Sequence, residues 1–572
     1  MIVTLLSWGI IFWMSSVLGN VFIRKIMPET FRNTIRWDVY CMTGLMILNV
    51  YAQIFSIFFG VGGFAFGIAF VVVIILSVGC VADGIKTRGM QRITKPVTWK
   101  ICVSVVLAGM ILILTMKAPE FVDTYLYHIQ AIHWIEEYGV VPGLGNLHCR
   151  FAYNSAFLVL QALFSFSFIM EPLHSLNGFL SCFLVVYAVM TNHIFTKEKN
   201  QLSDYLKLLF IPYVFLNRRT LSSPGTDMLA MFLVIYIASK WSECMERKEE
   251  SIQSYGFLCI LAVWALTVKL STAGSLLLVI FPAVQLIKRR DRGYIIKDLI
   301  CGLAVAIPWL VRNVLISGYL VYPYSVIDWF GVDWKMPVEI LEMDKMEIVV
   351  FGREVKNVAA YHDPITTWLP VWFDNQMVKY KLLIMIGFAA TAFLMAALVK
   401  MICKTIRKRK QTEDMGNVQL LILLISILLG EAFWLFSAPL VRYGMVYLMM
   451  PAAASYYLVE QKLGNRLNHV VLIAGTCAAT LLGIYKNENF TWITPQGYWK
   501  MESVAEDVDG VTIYRPDGDQ RLNGYEPFPA ARNEEDLQKV ELRGKNLSSG
   551  FRSKKSTELI KDLQNNFNDE EN

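Results

Sequence analysis

The residues most able to do chemistry lie in a few short polar stretches of an otherwise apolar chain. The first stretch is "APEFVDTYLYHIQAIHWIEEYGVVPGLGNLHCRF", residues 118–151, which carries Asp123, Glu120, Glu136 and Glu137. It also holds His128, His133 and His148, three of the seven histidines. No Gly or Pro interrupts 122–138, so a helix is expected there. Asp123, Tyr127, Gln130 and Trp134 then fall at i, i+4, i+7 and i+11, on one face. A carboxylate at such a place can take a proton from a hydroxyl, which makes Asp123 the general-base candidate. Tyr127 and Gln130 would line the same face, with Trp134 anchoring it to the membrane interface. His128 lies off that face, as a supporting or ligand-binding group. The plainer account of the stretch is an amphipathic helix lying among lipid headgroups.

The cations form the second group. Lys269 in "TVKLST", Arg312 in "PWLVRNV" and Arg442 in "PLVRYG" stand near the same ends of apolar runs. Ionisable groups at such depth are costly and mark function by default. Together they could clamp a phosphate, with arginine suited to bidentate contact. Taken singly, each could instead snorkel to the headgroups or pair with Glu431 or Asp227. Asp227 follows the turn "NRRTLSSPGTD" and opens a run of helical pattern, where an Asp is commonly an N-cap.

These groups must be held by membrane-spanning elements. The chain has 572 residues, 55% hydrophobic and only 17% charged. Apolar runs of roughly 20 residues recur throughout, each able to cross ~30 Å of hydrocarbon. The net charge of +6 comes from basic residues in short loops between the runs, the pattern that sets orientation in a bilayer. It is not evidence of nucleic-acid binding. The first run, 2–22, has no basic leader and no small-residue cleavage site, and reads as a retained helix.

Basic loops at 24–36, 86–100, 197–207, 247–248, 288–297, 404–410 and 462–466 belong on the cytoplasmic side. Spans near 2–22, 38–58, 61–82, 101–117, 174–195, 205–216, 226–241, 255–268, 271–287, 295–316, 381–402, 416–436, 444–459 and 469–485 satisfy that rule. This gives an all-α polytopic membrane protein of about 14 crossings. The apolar stretch 153–170 breaks the alternation if it crosses, so it is expected to be re-entrant or to lie at the outer surface. The outer face then collects the loop 118–152, the turn 217–227, the break at Lys269, the loop 317–381, the turn 437–444 and the tail.

Three regions follow: N-terminal helices over 1–100, a transmembrane core over 101–485 with its outer loops, and an extracytoplasmic tail over 486–572. In the tail, "GVTIYRPDGDQ" predicts a strand at 511–514 followed by a turn. "STELIKDLQNNF" suggests a short surface helix, and the acidic end reads as disordered. A small α+β appendage of this kind suits a lid or docking element. Of the ten cysteines, only Cys149 falls on the predicted outer face, which excludes an outer disulfide framework within one chain. Metal-spaced Cys/His clusters, phosphate-binding glycine loops and nucleophile elbows are absent from the sequence.

An outer loop opening with Asp and an aromatic helix, a later "TD" turn, a broken span carrying Lys-Leu-Ser and "APLVRYG" together resemble the GT-C superfamily of membrane glycosyltransferases. The nearest resemblance is to multi-pass members found with bacterial surface-polysaccharide genes. The stretches "DTYLYHIQAIHWIEEYGVVPGLGNLHCRF", "PWLVRNVLISGYLVYPYSVIDWFGVDWKMP" and "VTIYRPDGDQ" carry it, over about a quarter of the chain. The resemblance implies an Asp in the first long outer loop as catalytic acid/base, sometimes with a divalent metal, and maps it to Asp123. The second acidic outer turn maps to Asp227. It implies a sugar donor on a polyprenyl phosphate and a glycan or lipid acceptor reached from outside. Asp123 is followed by Thr124 rather than a second carboxylate, so a metal-binding pair is not evident and metal dependence stays open.

The residues fit that chemistry independently: a base for the acceptor hydroxyl and cations for the leaving phosphate. A polysaccharide polymerase would use the same features to move a whole repeat unit. A lipid-linked oligosaccharide flippase or other transporter would need a polar path through mid-depth, where Glu431 is the main charge. A structural scaffold would need none of the outer charges.

Overall fold

The computed structural model describes residues 1–26, 36–86, 98–194, 200–247, 252–355, 357–407, 415–463, 496–518 and 522–554. Seven helices in it are long and apolar enough to cross a membrane: Ile2–Ile26, Trp37–Ser56, Asp227–Glu246, Leu270–Arg289, Arg292–Ser317, Val378–Cys403 and Val418–Ser437. Four shorter apolar helices accompany them, Gly63–Gly79, Trp99–Thr115, Leu176–Thr191 and Ile252–Val268. Helices are the expected solution because a lipid-exposed backbone must satisfy its own N–H and C=O groups.

Burial sorts these helices. Asp227–Glu246 is apolar on nearly all sides and lies at the centre, with Met228 through Glu243 buried. Arg292–Ser317 is peripheral. Its exposed Ile296, Leu299, Ile300, Leu303, Ile307 and Val311 recur every three or four residues and form an outward apolar stripe. Its opposite face buries Trp309, Arg312, Asn313 and Ile316.

Several expected spans take a different form. The run 205–216 is two seven-residue helices, Leu202–Leu208 and Phe210–Leu216. The run 271–287 begins as a 3-10 helix, Leu270–Val279, and continues as Ile280–Arg289. The run 444–459 belongs to Val441–Leu463, which is broken at Gly444 and contains Pro451. The stretch 153–170 contains only the eight-residue helix Ala156–Leu163, buried along its whole length. At 1.5 Å per residue that is about 12 Å, too short to cross. The expected span 469–485 lies outside the described residues.

At one end of the bundle, charged residues distant in sequence form a buried grid. Arg36 Nη2 lies 2.7 Å from Glu243 Oε1, and Lys207 Nζ lies 3.3 Å from the same oxygen and 3.2 Å from Asp204. Lys240 pairs with Asp38 and sits 3.4 Å from Glu243. Tyr236 donates to Asp38 at 3.0 Å and Tyr187 to Glu243 at 3.3 Å. The cations come from or beside basic loops that the charge pattern places on one side.

The opposite end carries the loops and the tail. The loop after Ser317 holds helices Val338–Gly352 and Ile365–Asp374. The tail forms two antiparallel hairpins, β1 (Ser503–Val508) with β2 (Val511–Pro516) and β3 (Val540–Leu542) with β4 (Phe551–Ser553), plus the short helix Glu534–Gln538. The predicted strand at 511–514 is part of β2. The expected helix in "STELIKDLQNNF" and the acidic end lie outside the described residues.

The two ends define a topology test. Reporters fused after Tyr138 and after Trp334 are expected to read on the outer side, and one fused after Arg290 on the cytoplasmic side. Agreement of all three on one side would contradict the bundle described here.

Candidate functional site

The helix that follows Ala118 is not uniform. Thr124–His128 is a π-turn, and the α-helix proper runs from Ile129 to Tyr138. A π-turn is wider than an α-turn and shifts the phase of everything after it. The single face predicted for Asp123, Tyr127, Gln130 and Trp134 is therefore split. Asp123 and His128 turn toward the helix ends of the core, while Gln130 and Trp134 turn toward the tail.

Asp123, Asp227, Lys269 and Arg442 meet in one cluster. Arg442 Nη2 donates to Asp123 Oδ2, and Arg442 Nε lies 3.7 Å from Asp227 Oδ2. Lys269 Nζ donates to Asp227 Oδ1. All four side chains are mostly, but not completely, buried. Two carboxylates and two cations balance, as partly desolvated charges must.

Local structure explains each placement. Lys269 is the break residue between Ile252–Val268 and the 3-10 helix, with extended backbone at φ −159° and ψ 130°. Asp227 is the first residue of its helix, after Thr226. Its carboxylate pairs with cations, so the N-cap reading of Asp227 is replaced by a salt-bridge role. Arg442 sits in the first turn of Val441–Leu463.

Aromatic groups close around the cations. Lys269 Nζ stands 3.7 Å from the Tyr443 ring centre. The Arg442 guanidinium lies 4.3 Å from the Phe121 ring and 4.9 Å from the Tyr443 ring, and it donates to Tyr443 Oη at 3.0 Å. Faces of this kind attract cations. Phe121 and Tyr443 are site residues that sequence reasoning missed. Their adjacency to Asp123 and Arg442 was the available signal.

His128 lies behind the carboxylates, buried, with neither ring nitrogen hydrogen-bonded. The Tyr127 ring centre is 4.2 Å away. Gly225 packs beside the ring, where an added Cβ would make an ordinary van der Waals contact with His128 Cε1 at 3.5 Å. The turn carrying Gly225 is tied down: Asn177 Nδ2 donates to Ser223 O at 2.7 Å and Gly225 O at 2.8 Å. Thr124 Oγ1 and Ser223 Oγ, 2.7 Å apart, join that turn to the π-turn. Burial lowers the His128 pKa to about 4, against the opposing pull of Asp123 and Asp227. The ring is neutral at pH 7, offering one donor and one acceptor. Burial likewise holds the Tyr127 hydroxyl well above the usual phenol range.

Two predicted site residues lie elsewhere. Arg312 is not part of the cation set. Its side chain is fully buried, with Nε donating to Asn154 Oδ1 at 2.9 Å and Nη1 to Ser56 Oγ. It ties Asn154 and the end of the helix Trp37–Ser56 to its own helix, because a buried guanidinium needs acceptors nearby. Gln130 does not line the cluster either. Its Nε2 donates to the carbonyls of Gly524 (2.9 Å), Tyr525 and Pro527 (both 3.2 Å), and its Oε1 accepts from Ala530 N at 3.0 Å.

Trp134 is fully buried against Phe528 and Phe551 of the tail, not anchored at an interface. His133 is stacked between Tyr525 (4.1 Å) and Phe528 (3.9 Å). Tyr525 Oη donates to Glu136 at 2.5 Å, and Tyr125 stacks on Trp499 at 4.8 Å. Glycine permits the close approach of Phe551: at Gly143 (φ +68°) an added Cβ would lie 2.0 Å from Phe551 O. The tail thus docks along the loop helix that carries Asp123. A separate tie joins the loop after Ser317 to the first loop: Asp344 accepts from Tyr153 (2.6 Å) and Tyr322 (2.9 Å) and pairs with Arg150 at 3.1 Å.

Among the described residues, no group of three or more His, Cys, Asp and Glu side chains could hold a metal ion. The carboxylates of Asp123 and Asp227 face cations, an arrangement that does not fit a metal ligand set.

The chain belongs to a family described as a domain of unknown function, DUF8201, which matches residues 1–449. No curated protein and no solved structure matches it. The matched region includes Asp123, Asp227, Lys269 and Arg442 and stops short of the docked tail.

Two outcomes test the cluster. Arg442→Ala leaves two carboxylates with one cation and is expected to cost about 2 kcal/mol, between the values for exposed and buried pairs. Asp123→Asn in the same chain should recover part of the loss, read as the thermal midpoint in detergent. For His128, the folded pKa lies below the unfolded value of 6.5. Its contribution is therefore complete above pH 6.5 and lost as pH falls toward about 4, by up to about 3 kcal/mol. His128→Asn should flatten the midpoint between pH 6.5 and 4. An unchanged slope would remove the ring from that account.

Proposed function

We propose that this protein is a multi-pass cell-membrane glycosyltransferase of GT-C type, with about 14 crossings. It transfers a sugar from a polyprenyl-phosphate donor to a cell-surface glycan or lipid acceptor on the outer face. The observation that carries this reading is the cluster of Asp123, Asp227, Lys269 and Arg442, drawn from four segments to one end of an apolar bundle. That end is where the basic-loop pattern puts the outer leaflet, and a lipid-linked phosphate would present itself there.

The geometry suits an exchange of partners. The donor phosphate competes with Asp123 for the Arg442 guanidinium and takes it in a bidentate contact. Asp123, released from its cation, accepts the proton of the acceptor hydroxyl. The acceptor oxygen forms its bond to the anomeric carbon as the bond from that carbon to the phosphate oxygen breaks. The electron pair stays on the phosphate, where Arg442 and Lys269 stabilise the added charge. Asp227 holds both cations in place, and His128 offers a neutral donor and acceptor beside the reacting groups.

Asp123→Asn keeps the shape and removes the base, and is expected to slow transfer by ~10²-fold or more, read per folded protein because the change also unpairs Arg442. The measurement is turnover of a lipid-linked donor by purified protein, together with the lipid-linked glycan that accumulates in a deletion strain. Normal turnover by Asp123→Asn, or no accumulating lipid-linked glycan, would refute the reading.

A further inference from the structure

We infer that the acceptor is a glycan of more than one sugar, and that Trp499 of the tail is the platform on which one of its sugars stacks. This rests on the proposed transfer to a cell-surface acceptor and chooses the glycan over the lipid. Trp499 is 47% exposed although one face of its indole is covered. The covering ring is Tyr125, buried in the π-turn, with ring centres 4.8 Å apart and planes 9° from parallel. The opposite face of the indole is the open one, a flat apolar surface.

Hydrogen bonds fix the ring in place. Trp499 N donates to Tyr125 Oη at 3.3 Å, and Asn523 N donates to Tyr125 O at 2.8 Å. Gln496 N donates to Met116 O at 2.9 Å, and its Oε1 accepts from Ala118 N at 2.9 Å. Tyr498, next to Trp499, pairs its hydroxyl with His174 Nδ1. The tail segment 496–499 is thus laced to the chain between Met116 and Tyr125. That same stretch carries Phe121 and Asp123, which meet Arg442. Tyr125 follows Asp123 by two residues, at most about 8 Å of backbone. The platform and the cluster are therefore held by one short piece of chain, whose Glu120 and Val122 are exposed.

A fixed aromatic face with an open side suits a sugar ring. The face of an indole is electron-rich, and the C–H bonds on one side of a pyranose present a partly positive, apolar surface to it. The indole is already ordered by Tyr125, so stacking costs little further conformational entropy. A tryptophan anchored among headgroups would share this exposure, but the surroundings of Trp499 are polar. Gln496 and Lys500 are exposed, and an added Cβ at Gly497 would lie 3.1 Å from Glu171 Oε2. Hydroxyl groups can hydrogen-bond to such side chains, whereas hydrocarbon leaves them unsatisfied. The Tyr125 ring and the indole stacked on it separate Asp123 from the open face, so one sugar cannot occupy both places. A chain of sugars can, with its terminal hydroxyl at Asp123 and an inner sugar on Trp499. The transfer step is that given above: the proton goes to Asp123 and the electron pair to the phosphate.

The test titrates purified full-length protein in detergent with short oligosaccharides released by partial acid hydrolysis of the producing cell's surface glycan. The monosaccharides from full hydrolysis are titrated beside them and are expected to bind at least ~10-fold more weakly. Trp499→Ala should weaken oligosaccharide binding about fivefold, the scale of one aromatic stacking contact, and Trp499→Tyr should restore most of it. In turnover, Trp499→Ala should raise the acceptor KM by a similar factor at a nearly unchanged kcat, the signature of lost uniform binding. A ring that only props the loop helix would instead lower kcat and the thermal midpoint, and that result would overturn the platform. Unchanged binding by Trp499→Ala would also overturn it and leave the transfer reading standing. Monosaccharides binding as tightly as oligosaccharides would overturn the acceptor of more than one sugar. Oligosaccharides that fail to bind, with turnover onto a lipid acceptor, would overturn the glycan assignment alone. In vesicles of brominated phospholipid, weaker quenching of tryptophan emission in Trp499→Tyr than in the unaltered protein would place the ring among the headgroups and overturn the inference. Binding that depends on Trp499, with no turnover of any lipid-linked donor, would overturn the transfer reading and leave a glycan-binding site.

Discussion

A charge carried into an apolar bundle must find a partner, and that constraint organises this molecule. The gain from pairing is large where water is scarce, but so is the cost of desolvating each charge. The result is charge held in a few closed groups. Arg36, Asp38, Lys207, Lys240 and Glu243 form one at one end. Asp123, Asp227, Lys269 and Arg442 form another where the loops gather. Arg312 meets the same constraint without a carboxylate, through the neutral acceptors Asn154 and Ser56.

The two closed charge groups differ in access. At the first, Asp38 is fully enclosed, Glu243 nearly so, and a tyrosine hydroxyl donates to each. Such a grid fixes the relative position of the helices it joins. The second remains partly open and is flanked by aromatic faces and by a histidine with no hydrogen bond of its own. A buried polar group without a partner is uncommon and calls for a physical explanation. Here the ring is held neutral by burial and is available to whatever enters beside Asp123.

The tail supports this arrangement from the other side of the loop helix. Gln130, His133, Trp134 and Glu136 meet residues 524–530 through hydrogen bonds and stacked rings. A helix pinned along that face can hold its opposite face, with Asp123 and His128, in one place. The tail therefore acts on the cluster through the helix, and among the described residues no tail side chain joins the ion pairs.

The sequence by itself determined the class of protein and much of the site. Apolar run length marks most of the helices, because a lipid-facing backbone has few alternatives. The basic loops predicted which segments share a side, and Asp123, Asp227, Lys269 and Arg442 do converge. Residue type was informative there because charges near apolar runs must be paired. Only the tertiary structure decided the phase and the partners. The π-turn at Thr124–His128 separates Asp123 from Gln130 and Trp134, and a straight helical period cannot anticipate a widened turn. Arg312 shares the residue type and depth expected of a clamp, yet its hydrogen bonds go to Ser56 and Asn154, far from it in sequence. Direction along a helix depends on which neighbour packs there, and that information is spread over the whole chain.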